Sequence, residues 1–205
     1  MNQSHPAVQL GGNSSEAIRD IFAVHFPPRS GKYSVLDLTF GHGKWWNWDW
    51  NEALTLKAND LNVGGLDFRF DVRAPPVGLP KFDVVCFDPP FSAMGPSKTL
   101  KGFRENYGAV RGPDLKNVMD VRLLLCSGIQ TAVRLARLGV IVKTQDVVES
   151  GENNSHVYFA EKFIGEAGWE VVDKKYLAVQ SRPQPSGRRT LHFRSRPSVF
   201  LVGKP

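Results

Sequence analysis

Short apolar runs that end in acidic or glycine-rich turns alternate along this chain with stretches of helical period. Residues 34–39 read as a buried strand running into the turn Gly41-His42-Gly43. Residues 54–58 form a second strand, ending at Asn59-Asp60, and residues 66–70 alternate like a third, ending at Asp71. Residues 82–87 are apolar apart from Asp83, the pattern of a central parallel strand covered on both faces. Residues 140–142 give a fifth strand, and 170–179 and 198–202 two closing ones. Helical spacing begins near Ser15, with Ile18, Ile21 and Phe22 on one stripe and Pro27-Pro28 as the stop. It returns over 117–138 (Val118, Val121, Leu125, Ile129, Ala132, Ala136), stopped by Gly139, and over 155–167, stopped by Gly168. Residues 1–14 read as a loose N-terminus. Residues 92–116 have neither period, and an unstructured loop of that length inside a domain is usually functional.

Strands alternating with helices predict an α/β fold with a mostly parallel sheet. Ligands in such folds sit beyond the carboxyl ends of the strands, where Asp37 to Gly43, Asp60, Asp71 and Asp88 all fall. The length of 205 residues, 41% of them hydrophobic, predicts one domain with a full core. No apolar run suits a membrane span, and the first residues lack a secretory pattern. Two cysteines, Cys86 and Cys126, cannot build a disulfide framework, which favours a reducing, cytoplasmic setting.

Charge changes the picture once it is located. The net charge is +6, and residues 181–205 hold the whole excess in Arg182, Arg188, Arg189, Arg194, Arg196 and Lys204, without one acidic residue. Such a segment is either a solvated tail or a nucleic-acid grip. Here most of it lies between two closing strands, as a basic hairpin over 181–197, and that favours the grip. The 92–116 loop adds Lys98, Lys101, Arg104, Arg111 and Lys116 against Glu105 and Asp114.

Three motifs carry candidate chemistry. The glycine turn after the first buried strand lets a ligand approach the backbone. A dinucleotide fingerprint would need glycine where Trp46 stands, and a phosphate-binding P-loop would need Ser or Thr where Trp45 stands. Asp60 is placed to accept from ribose hydroxyls or to cap its own loop, and Asp71 to accept from an adenine amine or to form a turn. The most specific motif is Asp88-Pro89-Pro90-Phe91. Two prolines fix the backbone and donate nothing, so a carboxylate, a bare carbonyl and an aromatic ring converge as a site for a planar amine. Trp45, Trp46, Trp48 and Trp50 read as core, with Trp45 or Trp46 edging the pocket. His42 reads as positional, and Lys143 and His156 as surface or site.

Together these residues resemble the class I S-adenosylmethionine-dependent methyltransferases, and more narrowly the D-P-P-[YF] amino-methyltransferases of nucleic acids (DNA adenine-N6 and cytosine-N4 type). The run from Asp37 to Trp46, the Asp88 motif and Glu105-Asn106-Tyr107-Gly108 are similar to small members from phages and their bacterial hosts. The resemblance covers roughly residues 15–204. It implies a Rossmann-like fold with a seven-stranded sheet and helices on both faces, S-adenosyl-L-methionine as cofactor, and a bacterial or phage-infected cytoplasm. By position it sets Asp37, Thr39, Gly41 and Gly43 around the cofactor's amino-acid part, Asp60 at its ribose and Asp71 at its adenine. Asp88, Pro89, Pro90 and Phe91 become the catalytic motif. Lys98, Lys101, Arg104, Arg188 and Arg189 are the expected nucleic-acid contacts, with DNA favoured over RNA and no metal required. A C5-cytosine enzyme is disfavoured, because Cys86 lies in a strand and Cys126 in a helix. Without a separate recognition domain, specificity is expected to be short or supplied by a partner. The rival of another class is a catalytically idle binding module on the same fold.

Overall fold

Residues 8–10, 13–91, 115, 117–149, 152–178 and 197–205 are described by a computed structural model. Asn13 opens the first helix, α1 (Ser14–His25), through a capping box with Glu16, and turns Ala17, Ile18, Ile21 and Phe22 inward. The strands are β1 (Val8–Leu10), β2 (Tyr33–Asp37), β3 (Leu54–Ala58), β4 (Phe82–Phe87), β5 (Ala136–Gln145), β6 (Val147–Glu149), β7 (Glu152–Asn154), β8 (Glu170–Ala178) and β9 (Ser198–Lys204). Seven of them form one sheet in the order β1-β8-β9-β5-β4-β2-β3, with β6 and β7 as a separate hairpin. Every pairing in the large sheet is parallel except the two that β9 makes. The fold is the expected Rossmann-like α/β arrangement.

Period-two alternation assigns the two faces. Val35, Val84, Cys86, Ile141, Phe200 and Val202 pack with α1 and the buried Trp45 and Trp46. Leu36, Val85, Phe87, Val140, Val142 and Leu201 pack on the other side, under α2 (Val118–Leu135) and α3 (His156–Glu166). No helix among the described residues is long and apolar enough to cross a membrane.

Three local expectations are corrected. Residues 66–70 are not a strand: their one bridge joins Phe68 to Asn59, and side chains replace the ladder. Asp67 accepts from the Ala58 N–H at 3.0 Å, and Asn59 bonds the carbonyl and N–H of Phe70. The seventh strand is instead β1, inside the segment expected to be loose, paired in parallel with β8. Gly139 does not stop a helix. The second helix ends at Leu135, Ala136 is already extended and pairs with Phe82, and Gly139 lies within β5. Its missing side chain makes room for Phe26, whose ring tip would lie 2.5 Å from an added Cβ.

Candidate functional site

Sheet register builds the site. β2 and β4 are parallel neighbours with Asp37 opposite Cys86, so their following loops leave the same edge. β5 flanks β4 with Val142 opposite Phe87, which sets Lys143 beside Asp88. The two acid-bearing loops are then tied together: the Asp88 N–H donates to Thr39 Oγ1 at 2.7 Å. A cavity of about 420 Å³ opens over this edge. Asp37, Thr39, Gly41, Asp60, Asp71, Asp88, Pro89, Pro90 and Phe91 all line it. That volume suits a nucleoside-sized ligand.

The carboxylates differ in environment. Asp37 is buried, accepting from Trp46 Nε1 at 2.7 Å and from the Thr39 N–H at 2.9 Å. Burial nevertheless pushes its pKa up to about 7, with Trp46 and Thr39 opposing the shift and Asp88 and Asp60 adding to it. Among the described residues, Asp88 accepts on one oxygen, Oδ2, from Trp45 Nε1 and from Lys143 Nζ, both at 3.1 Å. Burial raises its pKa, and the Lys143 charge and the two donors hold that rise back. Asp60 gathers the N–H groups of Gly41, Asn62 and Val63 at 2.8–3.2 Å, which fixes the β2 and β3 loops against each other. Asp71 lines the cavity with its carboxylate already gripped by the Arg73 guanidinium, which lowers its pKa.

The glycine turn divides its work. Gly41, at φ +54°, faces the cavity and donates to Asp60. Gly43 lies outside the lining. At φ +67° it starts the short 3-10 turn Lys44–Trp46, and a Cβ there would meet the Phe40 ring at 2.8 Å. Between β2 and β3 this turn and its tryptophans pack where a crossover helix would ordinarily lie. Trp45 and Trp46 are core side chains with Trp45 also edging the cavity, and each sends its indole N–H to a site carboxylate, a link the sequence does not show.

Sequence reasoning misses two further contributors, Asn59 and Leu124, and leaves Lys143 open between surface and site. Lys143 stands in the cavity wall on Asp88, placed there by the pairing of β5 with β4. Asn59 is buried and staples the Leu38 and Phe70 carbonyls, holding the β3 end against the cavity. Leu124, on the α2 face that packs on the sheet, closes the cavity from that side. His156 is buried rather than on the surface, and burial lowers its pKa. Cys86 is buried with its thiol pKa pushed well up, which makes it a poor nucleophile. Lys98, Lys101, Arg104, Arg188 and Arg189 lie outside the described residues, as does almost all of the 92–116 loop and the 181–197 hairpin.

No protein-family model and no curated protein matches the sequence. Solved structures do match the fold. TrmN from Thermus thermophilus is 13% identical with a TM-score of 0.50, over 93% of this chain and 47% of that one, so the chain spans about half of its length. Magnesium protoporphyrin IX methyltransferase (ChlM) from Synechocystis PCC 6803, solved with bound SAM, is 12% identical at a TM-score of 0.51, over 93% and 78% of the two chains. An S-adenosylmethionine-dependent methyltransferase from Clostridium acetobutylicum is 11% identical at 0.51, over 93% and 89%. At these identities the likeness is one of fold, and the fold is that of the class I methyltransferases.

Proposed function

We propose that this chain is an S-adenosyl-L-methionine-dependent methyltransferase acting on an exocyclic amine of a nucleic-acid base, first adenine N6 in DNA. One observation carries the reading: Asp88, with Pro89 and Phe91, shares a single cavity with the Asp37–Gly41 turn and Asp60. The donor and acceptor set suits the cofactor. Asp37 and Asp60 offer carboxylates to a cationic amino-acid part and to ribose hydroxyls, and Gly41 leaves the backbone bare for close approach. Asp71, held by Arg73, keeps acceptor capacity for an adenine amine.

When bound, the cofactor supplies an electrophilic methyl group on a positively charged sulfur. The chain's own residues do the rest. A base amine is a poor nucleophile because its lone pair is delocalised into the ring. Asp88 and the Pro89 carbonyl accept its two N–H bonds, raising electron density on nitrogen and orienting the lone pair, while Phe91 offers a stacking face. As the nitrogen–methyl bond forms and the methyl–sulfur bond breaks, one amine proton must leave. Asp88, whose pKa burial has raised, is the carboxylate placed to hold it. A duplex hides the amine, so the base is flipped out or presented single-stranded. Lys98, Lys101, Arg104, Arg188 and Arg189 are the proposed phosphate contacts.

Incubation with methyl-tritiated cofactor and separate DNA and RNA pools, followed by nucleoside analysis, tests this reading. Label in N6-methyladenine from DNA is expected. Label in RNA alone or in N4-methylcytosine would move the substrate, and no transfer to any base amine would overturn the activity.

A further inference from the structure

Lys143 is a cation the proposed reaction does not require. Its side chain is 14% exposed, lines the cavity and meets the Asp88 carboxylate at 3.1 Å. The Phe200 ring lies 5.8 Å from its Nζ. An ammonium has three N–H donors, and among the described residues Asp88 Oδ2 is its only hydrogen-bond acceptor. Among the described residues two donors therefore remain on this mostly buried side chain to face the cavity, and donors left there without partners are costly. The carboxylate shows the complementary asymmetry. Oδ2 takes both Trp45 and Lys143, whereas Oδ1 receives no donor among the described residues. The cavity edge thus presents an open acceptor and an under-used donor side by side.

That pair is the complement of one chemical pattern: an NH2 group next to an atom with an in-plane lone pair. The amine and ring nitrogen of adenine (N6 and N1) or cytosine (N4 and N3) present it along one edge. Two roughly parallel hydrogen bonds from such an edge need an acceptor and a donor beside each other, and Lys143 Nζ stands in the cavity wall 3.1 Å from the other oxygen, Oδ2, of the same carboxylate. Resting on the methyltransferase reading, we propose that Lys143 determines specificity by donating to the unprotonated ring nitrogen beside the amine that Asp88 Oδ1 holds.

The placement has a chemical consequence. In these bases the amine lone pair is delocalised onto that ring nitrogen, so the ring nitrogen is the stronger nucleophile. An N–H bond into it occupies its lone pair and leaves the exocyclic nitrogen as the site of methyl transfer. Lys143 selects the edge and blocks its more reactive atom.

A substrate-by-enzyme cycle on the full chain tests this. Oligonucleotides carrying adenine or 1-deazaadenine, which has C–H in place of N1, are compared with wild type and Lys143→Met. If wild type uses cytosine, 3-deazacytosine replaces the analogue. Intrinsic differences in amine reactivity cancel between the two enzymes. Wild type should prefer adenine by about 10- to 100-fold in kcat/KM, the usual worth of a charged hydrogen bond. In Lys143→Met the preference should collapse towards unity, and ring-methylated nucleoside should appear among the products. A preference unchanged in the variant overturns the proposal. Lys143→Gln keeps an uncharged donor and serves if the methionine variant does not fold: an intermediate preference supports the role, and one equal to wild type overturns it. Transfer to guanine alone, whose N1 carries a proton, would overturn the role of Lys143, and failure of wild type on every base amine would instead overturn the underlying methyltransferase reading.

Discussion

Asp37 lines the same cavity as Asp88 and has two good donors, yet burial outweighs them and raises its pKa to about 7. The folded protein therefore keeps a proton there that the unfolded chain, titrating at about 4, gives up. Its contribution to stability is full below pH 4, declines as pH rises to about 7 and is flat above that. Asp37→Asn turns an amide N–H towards a donor and lowers stability at every pH, so the slope is the readout. Melting temperature should fall less between pH 5 and 7 in the variant than in wild type. A cationic cofactor part beside Asp37 favours the ionised form. Titration calorimetry should then show proton release on cofactor binding at pH 6, affinity rising towards pH 7, and neither effect in Asp37→Asn. The residues of the site are legible in sequence because they follow strand ends: Asp37, Asp60 and Asp88 all reach one cavity. The roles of Thr39, Trp45 and Lys143 are not, since each depends on which loop or strand stands beside Asp88. Pairing partners decide that, and no local pattern encodes them.

At the scale of elements, the end of β4 is seated by a gap in α2. Gly128 faces Phe87, and an added Cβ would lie 2.0 Å from the ring. Alanine is worth about 1 kcal/mol over glycine inside a helix, but Phe87 is fully buried and cannot retreat without moving Asp88. Overpacking of this kind typically costs about 1–3 kcal/mol, so the clash should win. Gly128→Ala is expected to lower the melting temperature and to reduce methyl transfer, and a stabilised variant would show that the strand end tolerates displacement. Patterns that bury a whole face, such as residues 82–87 and the stripe of α1, announce their elements in sequence. Residues 66–70 mislead because their alternation is satisfied by Asn59 and Asp67 side chains rather than by a ladder. β1 is invisible for the opposite reason: three residues at a sheet edge carry too little pattern to register.

Over the whole molecule, acidic groups gather inside the cavity while the excess positive charge falls in residues 181–205. The cavity's acidic groups suit a cationic cofactor, and the basic segment, read from sequence, suits a polyanion. Changing Arg188 and Arg189 together to alanine should weaken nucleic-acid binding and reduce the slope of log affinity against log salt by up to about two. An unchanged slope would return the segment to a solvated surface. The most direct test of the proposed chemistry lies at Asp88, through Asp88→Ala assayed in parallel for cofactor binding and for single-turnover methyl transfer to the nucleic acid that wild type modifies. The expected result is cofactor affinity within a few-fold of wild type with transfer reduced by about a thousandfold or more. Transfer that survives the substitution would contradict the role of Asp88.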